Sequence, residues 1–490
     1  MSRKISSVVS CHWKPDRTAK VPLATQIVHY IKERITQGDW VIGQRLPSQR
    51  ILATSFSVNR STIVDALSEL VALGILETHF GQGTIIANNT WSLLVSTSTP
   101  DWNSYIEHGI HKANTPTIQV INKLEFQKNI IRLSTGEMSP DLFPHAMMKT
   151  VLNRIPSRAF SLNYLEPLGL LELRKVISHY LKTIGISVTP DQILIVSGSL
   201  QALQLVSVGI LSPNSTVLIE EPSYLKSLHV FESTGMGMKG VPMDENGLIP
   251  WMIEEPTLKS NTSILYTIPS FHNPTGITMS ETRRQDVLNW CKSNQLPIIE
   301  DDVYRELWFD TPPPLPLKAH DITGNVLYLG SVSKSLAPGL RIGWIAAPEP
   351  IVERLGDIKM QTDYGSSSLS QWALTEWMES GLYEDHLKTF RVQLIDRRNH
   401  VLNLLKKHFT GLASWNIPSG GFYIWLKLNA SIPTEKLFEQ AIQKNILINP
   451  GSLYSFNKNP HLRISYAYAS IEDLTRGLKQ LSEIIESLLK

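Results

Sequence analysis

The first hundred residues carry apolar side chains at the spacing of amphipathic helices. Ile27, Ile31 and Ile35 recur at every fourth position, which places them on one helix face, and Gly38 is expected to end that helix. Further along, Ser48 is the predicted N-cap of a short second helix.

A third helix is predicted to begin after Asn59, whose side chain is expected to cap it. Its apolar face is formed by Ile63, Leu67, Leu70 and Leu73. Two short strands over 75–78 and 84–87 follow. Three helices and a two-stranded wing predict a winged helix-turn-helix, which inserts the first turn of its third helix into the major groove of double-stranded DNA. A helical module that binds another protein is the alternative for these elements.

Beyond this region, short apolar runs predict buried strands and longer periodic segments predict helices. The strand-like runs occupy 193–196, 217–219, 264–268, 296–300 and 326–329. Amphipathic packing helices are expected over 370–409, with breaks, and over 471–490. The segment 432–447 and a strand near 462–467 are expected to form a smaller α+β lobe.

The composition is that of a globular protein with a large core. The 490 residues suffice for about three domains, and 42% of them are apolar against 18% that are charged. No stretch resembles a secretory signal or is apolar enough to span a bilayer. Cys11 and Cys291 are the only cysteines, which argues against a disulfide framework and against a zinc site. We therefore expect a cytoplasmic protein without a metal.

Charge is distributed unevenly along the chain. Residues 1–90 hold ten lysines and arginines and six acidic residues, a net charge of +4, whereas the whole chain carries +2. The remainder is therefore slightly acidic. A basic head on an acidic body favours a nucleic-acid partner for the head.

A lysine at the end of a predicted strand is the first candidate for chemistry. Lys334 follows the run 326–329 and is flanked by Ser331, Ser333 and Arg341. A lysine amine forms a Schiff base with an aldehyde cofactor, and hydroxyl and guanidinium groups bind the phosphate of such a cofactor. The pattern favours pyridoxal phosphate.

Other strand ends supply further groups that pyridoxal phosphate needs. Asp301 and Asp302 end a strand-like run, and a carboxylate that faces the pyridine nitrogen keeps it protonated. Tyr304 and Asn273 are expected to hydrogen-bond the phenolic oxygen of the ring. Tyr224 offers an aromatic ring that stacks on the pyridine.

A phosphate site is predicted where a helix begins near Ser199. The first turn of a helix exposes N–H groups and the positive end of its dipole. The side chains of Ser199 and Gln201 add hydrogen-bond donors there.

Together these segments resemble the fold type I aminotransferases. The resemblance rests on Gly-Ser-x-Gln-Ala, Glu-Glu-Pro-Ser-Tyr, Asn-Pro-Thr-Gly, Asp-Asp-x-Tyr, Ser-x-Ser-Lys and Pro-Gly-Leu-Arg-Ile-Gly, in this order, and runs from about Ile131 to the C-terminus. It implies an α/β large domain with a smaller α+β C-terminal lobe. It also implies Lys334 as the Schiff-base lysine and Asp301 as the partner of the ring nitrogen. Tyr164 would reach the phosphate from a second subunit, and Arg463 would grip the α-carboxylate of a substrate.

The head resembles the GntR-type DNA-binding domain. This resemblance rests on Leu-Pro-Ser-x-Arg, Asn-Arg-Ser-Thr-Ile, Gly-Ile-Leu-Glu-Thr and Gly-x-Gly-Thr. It implies that Gly81 and Gly83 let the wing approach the minor groove or the phosphates. It also implies four side chains of the helix-turn-helix that contact DNA: Arg50, Arg60, Ser61 and Thr62.

A GntR-type head on an aminotransferase-like body is similar to the MocR family of transcriptional regulators. The predicted domains are a winged helix-turn-helix over 1–88, a linker over 89–130 and the aminotransferase-like body over 131–490. The resemblance implies a pyridoxal-phosphate-dependent regulator that binds operator DNA as a head-to-tail homodimer and senses an amino acid, an amine or the cofactor itself. An active aminotransferase with a DNA-binding head is the alternative, because all the catalytic side chains are present. Whether the chain is an enzyme stays open at this point.

Overall fold

A computed structural model describes residues 13–36, 39–40, 43–79, 83–87, 102–111, 114–157, 162–254, 263–430 and 432–489. The chain divides into two units, Met1–Gly109 and Ile110–Lys490. Each unit has a buried apolar core of its own.

The first unit opens with three helices and a two-stranded ribbon, as the apolar pattern predicts. The elements are α1 Leu23–Thr36, α2 Gln49–Phe56, α3 Arg60–Ala72, β1 Leu76–His79 and β2 Gly83–Ile86, followed by a further helix, α4 Trp102–His108. Ile27, Ile31 and Ile35 are all buried in the core. The helix that holds them ends at Thr36, and Gly38 lies outside the described residues.

The two predicted N-caps differ in outcome. The hydroxyl of Ser48 accepts a hydrogen bond from the N–H of Ile51 in the first turn of α2. Asn59 occupies the N-cap position of α3 in an extended conformation, but its side chain makes no capping hydrogen bond. The predicted side-chain cap at Asn59 is therefore wrong. Residue type predicts which position precedes the helix, but not the rotamer of an exposed amide that water can also satisfy.

An aromatic cluster joins the start of the described chain to the first two helices. Tyr30 stacks on Trp13 with ring centroids 4.4 Å apart, and it meets the edges of Phe56 at 5.7 Å and Trp40 at 5.9 Å. Edge-to-face and stacked pairs contribute about 0.5–1.5 kcal/mol beyond their buried area. The cluster therefore fixes α2 against α1.

An eight-stranded sheet forms the centre of the second unit. Its strands are β4 Ile193–Val196, β5 Thr216–Glu221, β6 Gly237–Asp244, β7 Gly247–Leu248, β8 Ser263–Thr267, β9 Ile298–Asp301, β10 Val326–Ser331 and β11 Gly343–Ala346. Their order is β4-β11-β10-β9-β8-β5-β6-β7, and the neighbours from β10 to β6 all pair in parallel. All five predicted strand-like runs lie in this sheet, and their continuous burial matches a sheet with both faces covered.

Helices of the second unit pack around this sheet and beside a smaller one. They are α5 Pro116–Leu124, α6 His145–Arg154, α7 Leu171–Thr183, α8 Ser199–Gly209, α9 Glu281–Ser293, α10 Glu349–Thr362, α11 Ser368–Glu379, α12 Leu382–His408, α13 Thr434–Gln443 and α14 Ile471–Leu489. The predicted helical segment 370–409 is thus divided between α11 and α12. The division falls at Gly381, whose φ of +74° suits glycine.

The predicted smaller lobe is present. Its strands are β12 Ala413–Trp415, β13 Tyr423–Leu428, β15 Asn449–Pro450 and β16 His461–Ser465, which form an antiparallel sheet in the order β12-β13-β16-β15. A separate parallel pair joins β14 Ile446–Leu447 to β3 Ile131–Arg132. The start of the body is therefore tied to the C-terminal lobe.

No helix in the described ranges has the length and apolar character that a membrane crossing needs.

Candidate functional site

A cavity of about 400 Å³ lies where the parallel strands β5, β8, β9 and β10 end. The carboxyl ends of parallel strands meet at one edge of a sheet, so side chains that are distant in sequence converge there. The predicted site residues on its lining are Ser199, Tyr224, Asn273, Asp301, Tyr304, Ser333, Lys334, Arg341 and Arg463.

Lys334 lies three residues past the end of β10 and lines the cavity. Its Nζ donates a hydrogen bond of 2.6 Å to the backbone oxygen of Gly136. Position 136 requires glycine, because an added Cβ would lie 2.3 Å from the hydroxyl of Tyr423. The close approach of this loop orients the lysine amine in the cavity.

Asp301 ends β9 with a carboxyl group that is almost completely buried. Its Oδ2 accepts a hydrogen bond of 2.7 Å from the hydroxyl of Tyr266, and its Oδ1 has no partner among the described residues. Burial raises the pKa of Asp301 to about 6. A buried carboxylate oxygen without a partner is costly, so this atom is suited to a protonated nitrogen in the cavity.

The neighbouring acid has a different environment. Asp302 accepts hydrogen bonds from Arg305 and from the hydroxyl of Tyr328, and it is absent from the cavity lining. The alternation of side chains along an extended segment places the two adjacent carboxyl groups on opposite sides. Of the two acids, Asp301 is the one that the structure places at the cavity.

A chain of hydrogen bonds links the hydroxyl and amide groups of the site. The Nδ2 of Asn273 donates to the hydroxyl of Tyr304 at 3.2 Å, and this hydroxyl is also 3.2 Å from that of Tyr423. Burial raises the pKa of Tyr304 well above its usual value. Its hydroxyl therefore keeps its proton at neutral pH and can donate a hydrogen bond to a ligand oxygen.

Arg463, on β16, stands at the other end of this chain. It is only 6% exposed, and its guanidinium donates to Oδ1 of Asn273 at 2.9 Å and to the backbone oxygen of Ser134 at 2.8 Å. Its Cζ lies 4.4 Å from the ring centroid of Tyr423 and 5.0 Å from that of Tyr454. The Nε has no partner among the residues described, so the group retains a donor for an anion.

The start of α8 forms the phosphate side of the cavity. Gly198, at the N-cap, has φ of +92°, and an added Cβ would lie 2.8 Å from the guanidinium of Arg341. Arg341 donates to the backbone oxygen of Ser197 at 2.6 Å and lines the cavity with Ser199 and Ser333. A helix N-terminus, hydroxyl groups and a guanidinium thus lie together, as a phosphate site requires.

Three predicted cofactor residues lie off this lining. Gln201 accepts from the N–H of Ser197 and donates to Asp363, so its amide stabilises the start of α8. The hydroxyl of Ser331 hydrogen-bonds to the hydroxyl and the N–H of Ser333, and thereby holds the turn before Lys334. Tyr164 is 79% exposed and contacts the ring of Tyr364.

Sequence reasoning missed one wall of the cavity. Ile118, Ile121 and Asn122 of α5 line it, as does Glu125 just beyond the helix. This segment falls within the predicted linker, although it belongs to the second unit. Thr115 followed by proline is a helix-start signal that could have identified α5.

In the head, the predicted DNA contacts lie on the surface. Arg50, Arg60 and Ser61 are exposed, and Thr62 is partly buried in the first turn of α3. Arg60 donates to the side chain of Gln49 at 3.3 Å, which joins the starts of α2 and α3.

The wing is described in part. At Gly83, φ is +86° and an added Cβ would meet the side chain of Arg45 at 2.9 Å. Arg45 is therefore a further basic group beside the wing, which the motif did not indicate. Gly81 lies outside the described residues.

Comparison with protein families assigns both parts of the chain. Residues 23–86 match the family described as bacterial regulatory proteins, gntR family, and residues 128–481 match aminotransferase class I and II. The chain is 51% identical to the HTH-type transcriptional regulator YdfD of Bacillus subtilis over 96% of this chain and 97% of that protein. It is 34% identical to the HTH-type transcriptional regulator NorG of Staphylococcus aureus over 91% of this chain and 100% of that protein.

Solved structures resemble the body. A kynurenine aminotransferase of Pyrococcus horikoshii in complex with PMP has a TM-score of 0.73 and 31% identity, over 78% of this chain and 96% of that one. LysN, an α-aminoadipate aminotransferase of Thermus thermophilus, has a TM-score of 0.72 and 29% identity, over 80% of this chain and 99% of that one. LysN was solved with N-(5'-phosphopyridoxyl)-L-leucine.

The residues of the cavity fit pyridoxal phosphate, the cofactor of this body. The unpartnered Oδ1 of Asp301 suits the pyridine nitrogen, and the amine of Lys334 suits the aldehyde. The glycine at position 198 leaves room for Arg341 beside the helix N-terminus, where the phosphate is expected. When bound, the cofactor supplies an aldehyde that reacts with amines and a ring that withdraws electrons from the adjoining carbon.

We expect the cofactor to be attached through Lys334, the one amine that the described lining contains. Borohydride reduction and peptide mapping should place pyridoxal phosphate on this residue. Lys334→Ala should lose the long-wavelength absorption band of the bound cofactor, whereas the matched Lys388→Ala, an exposed lysine on α12, should keep it. A modified peptide containing another lysine would refute the assignment.

The buried carboxyl of Asp301 should make the cofactor-free protein less stable as the pH rises. Its pKa is about 6 in the fold against an ordinary 3.8, so the folded state binds the extra proton and stability falls between roughly pH 4 and 6. Asp301→Asn removes this titration. Its melting temperature relative to wild type, both without cofactor, should therefore increase from pH 4 to pH 7.

The control for this experiment is Asp357→Asn, which changes an exposed acid on α10. Its melting temperature relative to wild type should be nearly the same at both pH values. If Asp301→Asn behaves in the same way, the carboxyl of Asp301 is not buried in the manner described.

Proposed function

The chain belongs to the MocR-type regulators, in which a GntR-type head precedes a class I and II aminotransferase body, and we propose that it senses an amino acid through that body. The head binds operator DNA, and the body is dependent on pyridoxal phosphate. The observation that carries the proposal is the convergence of Lys334, Asp301 and Arg463 on one cavity. This cavity provides a site for the cofactor and an unfilled donor for a carboxylate beside it.

Each group of the site has a definite task in binding an amino acid. Arg463 binds the α-carboxylate, because a buried guanidinium whose Nε–H has no partner within the described ranges is a strong donor to a planar anion. The carboxylate of Asp301 would accept a hydrogen bond from the protonated ring nitrogen, and the hydroxyl of Tyr304 would donate a hydrogen bond to the phenolic oxygen. Lys334 would hold the aldehyde of the cofactor, and that aldehyde would supply the carbon with which the amine of the ligand can react in place of the lysine amine.

Active transamination is the second candidate. The cavity is lined by all of the groups that an aminotransferase needs for proton transfer, and the similar solved structures are aminotransferases. A third possibility is that the body senses the cofactor alone.

Absorbance spectra taken with amino acids, with and without an oxo acid, distinguish the three functions. A stable shift supports a sensor, steady conversion to the amine form of the cofactor supports an enzyme, and no response supports a cofactor sensor.

We further propose a head-to-tail homodimer that acts in the cytoplasm, where operator DNA is found. The high exposure of Tyr164 supports this arrangement, since its ring does not line the cavity of its own chain and is available to a second subunit. Two heads bind paired half-sites more tightly than one head can.

Ligand binding can reach the head through α5. This helix lines the cavity and follows the end of the first unit at Gly109 in the chain. A ligand that changes the contacts of α5 therefore acts on the segment through which the body continues into the head. The required coupling is a difference in ligand affinity between two positions of this helix.

The head should read its operator through Arg60. Replacing Arg60 by alanine should cost roughly 1–3 kcal/mol of binding free energy and relax the preference for operator over unrelated DNA, if the side chain contacts a base edge. Lys20→Ala removes one charge from an exposed position before α1 and should at most weaken binding to both DNAs equally. Fluorescence anisotropy with labelled duplexes measures both effects. Equal behaviour of the two variants would contradict a role for Arg60 in base recognition.

Recognition of an amino acid should require the guanidinium of Arg463. Lysine provides a charge but cannot donate two parallel hydrogen bonds, so Arg463→Lys should weaken amino-acid binding by about 2–5 kcal/mol. Titration of the variant and the wild type with amino acids and with amines that lack a carboxylate tests this. The amino-acid response should fall and the amine response should not. An unaltered amino-acid response would place the carboxylate elsewhere.

A further inference from the structure

One carboxylate on the cavity wall lacks a cationic partner among the described residues. Glu125 follows α5 and lines the cavity. The hydroxyl of Thr135 donates a hydrogen bond to its Oε1 at 2.9 Å, which is the one hydrogen bond that the described residues make to this carboxylate. A partly buried charge without a counter-ion attracts a ligand of opposite charge.

Glu125 lies at the same end of the cavity as Arg463. Its partner Thr135 follows Ser134, whose backbone oxygen accepts a hydrogen bond from Arg463. Burial raises the pKa of Tyr454 to about 12, and the negative charge of Glu125 contributes to this rise. The same ring lies 5.0 Å from the guanidinium of Arg463. The acid and the guanidinium therefore share the surroundings of one tyrosine.

The Nε of Arg463 has no partner among the described residues, and Arg463 is only 6% exposed. This buried donor independently indicates a ligand anion at this end of the cavity. An α-carboxylate bound there neutralises the guanidinium. Glu125 then remains as the uncompensated charge beside the rest of the ligand. A second carboxylate on that ligand would be repelled, whereas a cationic group would be attracted.

We propose that Glu125 makes the effector site selective for an amino acid with a cationic side chain. The inference rests on the amino-acid-sensing function proposed above. Arg463 holds the α-carboxylate, the α-amine faces Lys334, and the side-chain cation pairs with Glu125. Glu125 is thus a specificity-determining residue, and dicarboxylic amino acids are the class that it excludes.

The test uses full-length protein loaded with pyridoxal phosphate and three ligands that share a five-carbon chain. L-Ornithine carries a terminal ammonium, L-norvaline a methyl group and L-glutamate a carboxylate. Calorimetry and the absorption of the cofactor give the dissociation constants. We expect wild type to bind ornithine about tenfold more tightly than norvaline, and glutamate least tightly.

Glu125→Gln removes the charge but keeps an oxygen that can accept from Thr135. In this variant the preference for ornithine over norvaline should fall about tenfold, and glutamate should bind more tightly than it binds to wild type. Glu137→Gln is the matched control, because it removes an exposed carboxylate at the edge of the same cavity. It should change the ligand order by less than about twofold.

Several outcomes would overturn the proposal. The proposal is overturned if wild type binds glutamate as tightly as ornithine, if Glu125→Gln keeps the wild-type order of the three ligands, or if Glu125→Gln loses norvaline binding together with ornithine binding. An effect of Glu137→Gln as large as that of Glu125→Gln would assign selectivity to net charge rather than to Glu125. Each of these results leaves amino-acid sensing intact, whereas failure of wild type to bind any of the three ligands overturns the sensing function itself.

Discussion

The parallel pairing of β9 with β10 determines the chemistry of the body. Its register sets Leu329 opposite Asp301, so the strand that leads to Lys334 ends beside the carboxylate of the site. β8, on the other side of β9, leads to Asn273 in the same way. A shift of one residue in either pairing would reverse the side-chain faces and remove these groups from the cavity. The buried apolar residues of the strands make such a shift costly, and the site depends on that cost.

Much of this arrangement could be predicted from the sequence because its groups stand at the ends of apolar runs. A parallel sheet brings a strand-end lysine and a strand-end aspartate to the same edge, and Lys334 and Asp301 both line the cavity there. The cap at Asn59 could not be predicted, because an exposed amide chooses its rotamer by small differences in energy. The wall formed by α5 was also missed, since an amphipathic pattern shows that a helix packs but not which surface it meets.

The remaining groups of the cavity were beyond prediction for a related reason. Tyr423 and Tyr454 enclose the guanidinium of Arg463 from separate parts of the small lobe. Neither stands in a motif, because their positions relative to Arg463 follow from antiparallel pairing and loop paths. The same holds for Glu125 and Thr135, which are ten residues apart and meet through the path of the chain after α5.

The body thus combines a cofactor site that resembles the site of an enzyme with a cavity wall formed by α5, in the segment that leads from the head. An enzyme needs the first of these, and a regulator needs both. In the proposed function, the balance of charges at the Arg463 end decides which amino acids are recognised, because the carboxylate of the ligand would satisfy the guanidinium and leave Glu125 to act on the side chain.

The most direct test of this account is the affinity of the full-length, cofactor-loaded protein for the DNA upstream of its own gene, measured by fluorescence anisotropy with and without a mixture of the common amino acids. The account predicts that the amino acids change the dissociation constant for this DNA about tenfold in wild type and leave it unchanged in Lys334→Ala. An unchanged dissociation constant in wild type, accompanied by continuous conversion of amino acids and oxo acids, would contradict regulation through the cavity and identify the body as an enzyme.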